Sequence, residues 1–239
     1  MKTAFITGAN KGIGFETARQ LAQLGYFVYI GSRDPSKGSE AAEKLKAAGC
    51  TNVDCIKIDV TDSHSIQSAV KKLERKIPCL DVLINNAGIA GTQPQNISAC
   101  KTKLLREVFE TNFFGAVQTT QQFIGLLKKA AAPRIVNVSS QLGSLTVQSS
   151  SQNPNYRVYD AYSCSKTALN AFTVLLAKEF QGTHFKINSV APGYTATDLN
   201  QFRGTQTPAQ AAQVIVKYAT SDNDRPTGGY FKKEGELAW

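Results

Sequence analysis

The sequence predicts an α/β protein: one domain over residues 1–239, built as a doubly wound parallel sheet. Three observations predict it. Short apolar, β-rich runs alternate with longer segments of helical periodicity along the whole chain, the pattern of strand–helix–strand crossovers. The first run passes through Gly8-Ala9-Asn10-Lys11-Gly12-Ile13-Gly14 into a helical stretch. No repeat, linker or low-complexity tract divides the chain.

The elements follow in order. Strands are expected near 3–7, 26–31, 53–58, 80–85, 134–139, 185–190 and 229–231, and helices near 13–24, 36–48, 63–76, 101–130, 160–181 and 207–221. Residues 3–7 are apolar and β-rich, and after the glycines Ala18, Leu21, Ala22 and Leu24 recur at helical spacing. Tyr26-Phe-Val-Tyr-Ile30 is the second strand. Asp34 before Pro35 reads as a helix cap, since a carboxylate accepts from orphan amides and proline suits the first helical position; the other reading turns Asp34 inward. Asp59 sits between the third strand and a helix that begins near Thr61-Asp62-Ser63, where it is also placed to cap. Val82-Leu83-Ile84 ends in the small-residue loop Asn85-Asn86-Ala87-Gly88. Thr111-Asn112-Phe113-Phe114-Gly115 lies inside a long helical stretch, and the strand from Arg134 ends in Ser139-Ser140. Residues 193–206, after the strand at 185–190, form the candidate lid.

Three groups carry chemistry. Glycines in a strand-to-helix turn let backbone approach a pyrophosphate, and the helix start offers unpaired amides and partial positive charge. The spacing here is G-x3-G-x-G, which also suits an ordinary turn with structural glycines. At the end of the second strand Arg33, with Lys37 a turn later and Lys11 in the glycine loop, favours a 2′-phosphate and hence NADPH. Tyr162 and Lys166 stand four apart and share a helix face. An ammonium there is expected to lower the phenol's pKa toward the range of useful proton exchange.

The glycine turn, Asn85-Asn86-Ala87-Gly88, Thr111-Asn112-Phe113-Phe114-Gly115, the strand ending in Ser139-Ser140, the pair Tyr162 and Lys166, and Ala191-Pro192-Gly193-Tyr194 together, in this order, resemble the short-chain dehydrogenase/reductase family. They are most like its NADPH-dependent carbonyl reductases in Gly-Ala-Asn-Lys-Gly-Ile-Gly, Ser32-Arg33-Asp34, Thr-Asn-Phe-Phe-Gly and the final Trp239. The resemblance implies a Rossmann fold and NADPH-dependent reduction of a small ketone or aldehyde. It implies Tyr162 as proton donor, Lys166 on the nicotinamide ribose, Ser140 on the carbonyl oxygen, and Asn112 interrupting its helix to support a water. For the cofactor it implies Gly8, Asn10, Lys11, Gly12, Ile13 and Gly14 at the phosphates and Arg33 and Lys37 at the 2′-phosphate. It places Asp59 and Val60 at the adenine, Asn86, Ala87 and Gly88 along the adenosine ribose, and Pro192, Gly193, Thr195 and Thr197 beside nicotinamide and pyrophosphate. Alcohol oxidation on the same site, or a noncatalytic NADPH-binding regulator, are the rival readings. Two features depart from the family pattern. Thr195 replaces an aliphatic residue, and 21 residues separate Ser140 from Tyr162, more than in many members. The polar stretch 148–155 within that span is expected to be a loop beside the site. It leaves monomer and homo-oligomer both open. Ile89, Leu142, Tyr156, Tyr194 and Phe202 are the expected substrate wall.

Composition excludes other classes. The net charge is +9, but the basic residues are scattered as Lys71-Lys72, Lys101-Lys103, Lys128-Lys129 and Lys232-Lys233 without an aromatic-and-basic motif, so no nucleic-acid partner is expected. An anionic cofactor accounts for part of the excess only. No run of 18 apolar residues and no leader-like apolar stretch before Gly8 occur, so neither membrane span nor secretion is expected. Five cysteines without a C-x2-C pattern suggest reduced thiols in a cytoplasmic enzyme. Cys164, rotated about 200° from Tyr162 on a helix, reads as a packing residue. His64 and His184 have no ligand company, so no metal is expected.

Overall fold

Successive side chains of a strand point to opposite faces, and β1 (Thr3–Thr7), buried along its whole length, feeds two apolar layers accordingly. Ala4 and Ile6 enter one with Leu21, Val28, Ile30 and Leu45, while Phe5 enters the other with Leu73, Leu83, Phe123 and Ile187. In the computed structural model, which describes residues 1–150, 158–220 and 226–239, β1 lies inside an eight-stranded sheet. The other strands are β2 (Phe27–Ser32), β3 (Val53–Lys57), β4 (Val82–Asn85), β5 (Arg134–Val138), β6 (Lys186–Val190), β7 (Tyr230–Lys232) and β8 (Gly235–Glu236). Their order is β3-β2-β1-β4-β5-β6-β7-β8. All neighbours pair parallel except β7 and β8, which form an antiparallel edge with Phe231 opposite Glu236. This is the expected doubly wound sheet with one added edge strand.

Helices α1 (Gly12–Gln23), α2 (Pro35–Ala47) and α8 (Pro208–Ala219) line the first layer, and α3 (Ser63–Glu74), α5 (Gly115–Leu127) and α7 (Asp160–Glu179) the second. Local chemistry fixes several starts. Asp34 accepts from the amides of Ser36 and Lys37 with Pro35 at the first position, which decides for the cap. Asp62 accepts from the His64 amide, so the cap of α3 is Asp62. Thr207 and Gln210 cap α8 reciprocally.

The strand order reverses between β1 and β4, which opens a crevice at the carboxyl ends of these strands. The helical stretch expected at 101–130 is α4 (Thr102–Phe109), a π-helical turn at Glu110–Phe114 and α5, so it is interrupted at Asn112 as the resemblance implies. Two details differ from expectation. A 3₁₀ turn at Gln141–Gly143 and the short helix α6 (Leu145–Ser149) follow Ser140, so Gln148 and Ser149 of the expected loop are helical. Ser144 causes this, accepting from the Val147 amide as a cap; residues 151–155 and Tyr156 lie outside the described residues. Cys164 is exposed, because rotation away from Tyr162 carries it to the solvent side of α7 rather than into packing. Among the described residues no helix is long and apolar enough to cross a membrane, and no cluster of His, Cys, Asp and Glu could hold a metal.

Candidate active site

The glycine loop is shaped to admit a group against backbone. Gly8 has φ +63°, which disfavours a side chain, and a Cβ there would meet Ala87 Cα at 2.9 Å. A Cβ on Gly14 would lie 2.5 Å from Asn86 Nδ2 and 2.8 Å from the Gly8 carbonyl. Asn86 closes the turn, donating through Nδ2 to the carbonyls of Thr7 (2.9 Å) and Gly8 (3.1 Å). The first turn of α1 has neither a side-chain cap nor an acidic residue, so its leading amides and positive end face the crevice uncompensated. Asn10, Gly12 and Ile13 are half-buried on this loop and Lys11 is exposed. The cradle leaves backbone open to a pyrophosphate, and Gly8, Asn10, Gly12, Ile13 and Gly14 are the residues that could hold one.

Four side chains from three elements meet at the ends of β4 and β5. Tyr162 and Lys166 lie on one face of α7, as the spacing requires. The Ser140 side chain neighbours the Tyr162 phenol and acts to lower its pKa; Ser140 follows β5 and caps the 3₁₀ turn by accepting from the Leu142 amide at 3.3 Å. Lys166 is buried; its Nζ donates to the Val138 carbonyl at 2.8 Å and lies 5.6 Å from the centre of the Tyr162 ring. Asn112, in the π-helical turn, is 1% exposed. Its Oδ1 accepts from the Ile89 amide at 2.8 Å, and its Nδ2 donates to the Ile89 carbonyl at 2.9 Å and to Ser165 Oγ at 3.0 Å. Gly88 joins the groups: a Cβ there would stand 3.3 Å from Asn112 Oδ1 and 3.6 Å from Lys166 Nζ.

The electrostatics depart from the spacing argument. Burial pushes the Tyr162 phenol up to about 12, opposed by the neighbouring Ser140 side chain. Burial brings the Lys166 ammonium down to about 8. The phenol is not depressed as the spacing suggests, because desolvation is the largest influence on it.

Toward the rim, Arg33 and Lys37 are exposed at the end of β2, with Lys37 4.0 Å from Asp34. Lys11 is turned across the crevice onto Asp198 at 3.1 Å rather than toward Arg33. Asp59 turns locally to Thr61, accepting from its amide at 3.0 Å and its hydroxyl at 2.7 Å. Val60 is buried behind it, where a Cβ on Gly115 would meet its Cγ2 at 2.8 Å. Ala87 is tied by its amide to Thr7 Oγ1 at 3.0 Å. In the segment 193–206, Gly193 has φ +91° and Thr195 is buried, donating to the Gly193 carbonyl at 3.1 Å. Gln206 fastens this segment through Nε2 to the Pro192 carbonyl and Thr195 Oγ1. A Cβ on Gly12 would stand 3.5 Å from the Thr197 methyl, so the segment overhangs the glycine loop. Ile89, Tyr194 and Phe202 present exposed apolar surface, and Leu142 is half-buried.

Comparison with known proteins accounts for this geometry. Residues 2–208 match the family described as short chain dehydrogenase. The chain belongs to that family. It is 34% identical to a (+)-neomenthol dehydrogenase of Capsicum annuum over 301 residues, covering 97% of this chain and 95% of the relative. It is 30% identical to salutaridine reductase of Papaver bracteatum over 294 residues, covering 97% and 94%. Among solved structures, an NADPH-bound carbonyl reductase from chicken fatty liver superposes with a TM-score of 0.87 at 28% identity, covering 100% of this chain and 94% of the other. Salutaridine reductase from Papaver somniferum superposes at 0.86 with 29% identity, covering 98% and 100%.

Two residues of this short-chain dehydrogenase escaped the sequence reading. Gln95 is fully buried; it donates to the Ala90 carbonyl at 2.7 Å and accepts from the Tyr162 amide at 3.2 Å. Since α7 has no local side-chain cap, Gln95 satisfies a first-turn amide from 67 residues away. Tyr230, fully buried on β7, donates its hydroxyl to the Ser140 carbonyl. Each acts across a long sequence separation, and neither has a local pattern. The one available signal is an amide or phenol inside an otherwise apolar setting, which has to find a partner.

Proposed function

We propose that this oxidoreductase reduces a ketone or aldehyde to an alcohol with NADPH, with Tyr162 as the proton donor. The observation that carries the reading is the convergence of Tyr162, Ser140 and the buried Lys166 at the end of β5, with Lys166 Nζ 5.6 Å from the centre of the Tyr162 ring. NADPH, when bound, supplies the hydride to the carbonyl carbon. The glycine loop and the open first turn of α1 would hold its phosphates. Arg33 and Lys37 would meet the 2′-phosphate, and Asp59 and Val60 the adenine. Asn86, Ala87 and Gly88 would line the adenosine ribose, and Lys11, Pro192, Gly193, Thr195 and Thr197 would close over the rest.

Ser140 holds the carbonyl oxygen, so charge that develops there meets a positioned hydroxyl. As the carbonyl's electron pair moves onto oxygen, Tyr162 gives up its phenolic proton, and an alkoxide is basic enough to take it even from a phenol near 12. Lys166, with its pKa near 8, is poised to return a proton to the phenolate. Asn112 fixes the loop at Ile89 against α7 and so keeps Gly88 and Lys166 in place. The apolar Ile89, Tyr194 and Phe202 favour a substrate with hydrophobic bulk beside its carbonyl.

The NADPH-bound state of the carbonyl reductase that superposes on this chain supports the choice of cofactor. The test is loss of NADPH absorbance with a panel of ketones, aldehydes and quinones, repeated with NADH. Carbonyl-dependent consumption that prefers NADPH is expected. Tight cofactor binding without turnover on any carbonyl would replace this reading with the noncatalytic one.

A further inference from the structure

We propose that Tyr230 is a positioning residue for Ser140, so that the edge hairpin β7–β8 and the segment through Trp239 set the efficiency of carbonyl reduction. The inference rests on the proposed role of Ser140 in holding the carbonyl oxygen. Ser140 follows β5 with extended backbone and begins the 3₁₀ turn at Gln141–Gly143. The same turn holds its hydroxyl, which accepts from the Leu142 amide at 3.3 Å, so whatever anchors the peptide plane at the head of the turn also sets where that hydroxyl stands. Two donors fix that plane. The Gly143 amide donates to the Ser140 carbonyl at 2.7 Å from within the turn. The Tyr230 hydroxyl donates to the same carbonyl from the far side of the sheet edge, 90 residues away.

The phenol is held rigidly enough to act as a stop. Tyr230 is fully buried, pairs through β7 with Ser189 of β6, and stacks on Trp239 with ring centres 5.2 Å apart at 20°. The segment beyond β8 is fastened back to the loop that follows Ser140. Ser144 Oγ donates to the Ala238 carbonyl at 2.7 Å, and the Thr146 amide donates to the Trp239 carbonyl at 2.8 Å. Both ends of the 140–146 loop are therefore tied to this hairpin. A hydroxyl serving only to satisfy itself would need one acceptor anywhere. This one takes the carbonyl of Ser140 itself, so contacts run from Trp239 through the Tyr230 ring to the backbone of the serine beside Tyr162.

The test is a double-mutant cycle on kcat/KM for the carbonyl, with NADPH affinity measured alongside by fluorescence titration. Tyr230→Phe keeps the ring and its stacking and removes the donor. It is expected to lower kcat/KM about tenfold, the scale of one aligning hydrogen bond, while NADPH affinity stays within about twofold. In a Ser140→Ala background the same change is expected to have no further effect, because no hydroxyl remains to be aligned. Equal losses in both backgrounds would show a general packing role and overturn the proposal, as would wild-type turnover in Tyr230→Phe. If Tyr230→Phe does not fold, Trp239→Leu carries the same cycle: a loss confined to the Ser140-containing enzyme supports the proposal, and any other pattern overturns it. If Ser140→Ala alone leaves kcat/KM unchanged, it is the role of Ser140 that has failed, which separates the two outcomes.

Discussion

Replacing Lys166 by methionine should change how stability depends on pH, and the sign and size follow from the site. Burial lowers the folded-state pKa of Lys166 from 10.5 to about 8. Between those values the unfolded chain still carries the proton that the folded protein has released. The unfolded state thus binds more protons, and Lys166 makes stability rise with pH across that window. The shift corresponds to about 3 kcal/mol at 1.36 kcal/mol per unit. Methionine keeps most of the aliphatic stem and removes the amine. Loss of the bond to the Val138 carbonyl adds a constant that does not vary once the amine is gone. Tyr162 contributes with the opposite sign: its folded pKa near 12 exceeds the unfolded 10.0, so its contribution is complete below 10 and is lost as pH rises toward 12. To the extent that its environment is retained, this slope is common to both proteins and cancels in their difference. Urea unfolding at several pH values, with unchanged m, measures that difference. Wild-type stability should gain on Lys166→Met by about 3 kcal/mol from the lower to the upper end of the window. A flat difference would refute the reasoning, since the amine would then be solvated in the folded state.

Two further substitutions test other parts of the site. Asn112→Ala leaves the part-buried Ile89 amide and carbonyl and the buried Ser165 Oγ each without one partner; it should cost about 2–3 kcal/mol in urea unfolding, and a loss below about 1 kcal/mol would mean that this cluster does not hold the loop. Arg33→Asp should move the ratio of kcat/KM values from NADPH toward NADH by at least about tenfold, as removing a cation and adding like charge against a phosphate requires; an unchanged ratio would mean that another residue reads the 2′-phosphate.

Much of the fold was legible because its signals are local. The glycine turn after β1, the Asp34–Pro35 cap and the four-residue spacing of Tyr162 and Lys166 all lie within a few residues of what they determine. The strands were legible for the same reason, as short β-rich runs between helical stretches. The break of one long helix at Asn112 was readable only through family resemblance, because an asparagine in a helical stretch more often faces solvent. What stayed hidden depends on tertiary placement. The Tyr162 phenol sits high because burial outweighs its neighbours, and no spacing rule reports the degree of desolvation. Gln95 and Tyr230 act over 67 and 90 residues, through contacts that exist only once the sheet is assembled. Helical rotation away from Tyr162 does not tell a packed face from an open one, and at Cys164 that side of α7 is open to solvent. The capping helix α6 followed from Ser144, a residue the sequence reading had passed over.

The most direct measurement of the central claim is single-turnover reduction by Tyr162→Phe, with NADPH binding followed in the same protein. The account predicts a rate at least about a hundredfold below wild type, the scale of a lost general acid, and NADPH affinity essentially retained, because the ring remains and only the phenolic proton is gone. Turnover at the wild-type rate would contradict it, leaving the proton to come from a group other than the Tyr162 phenol.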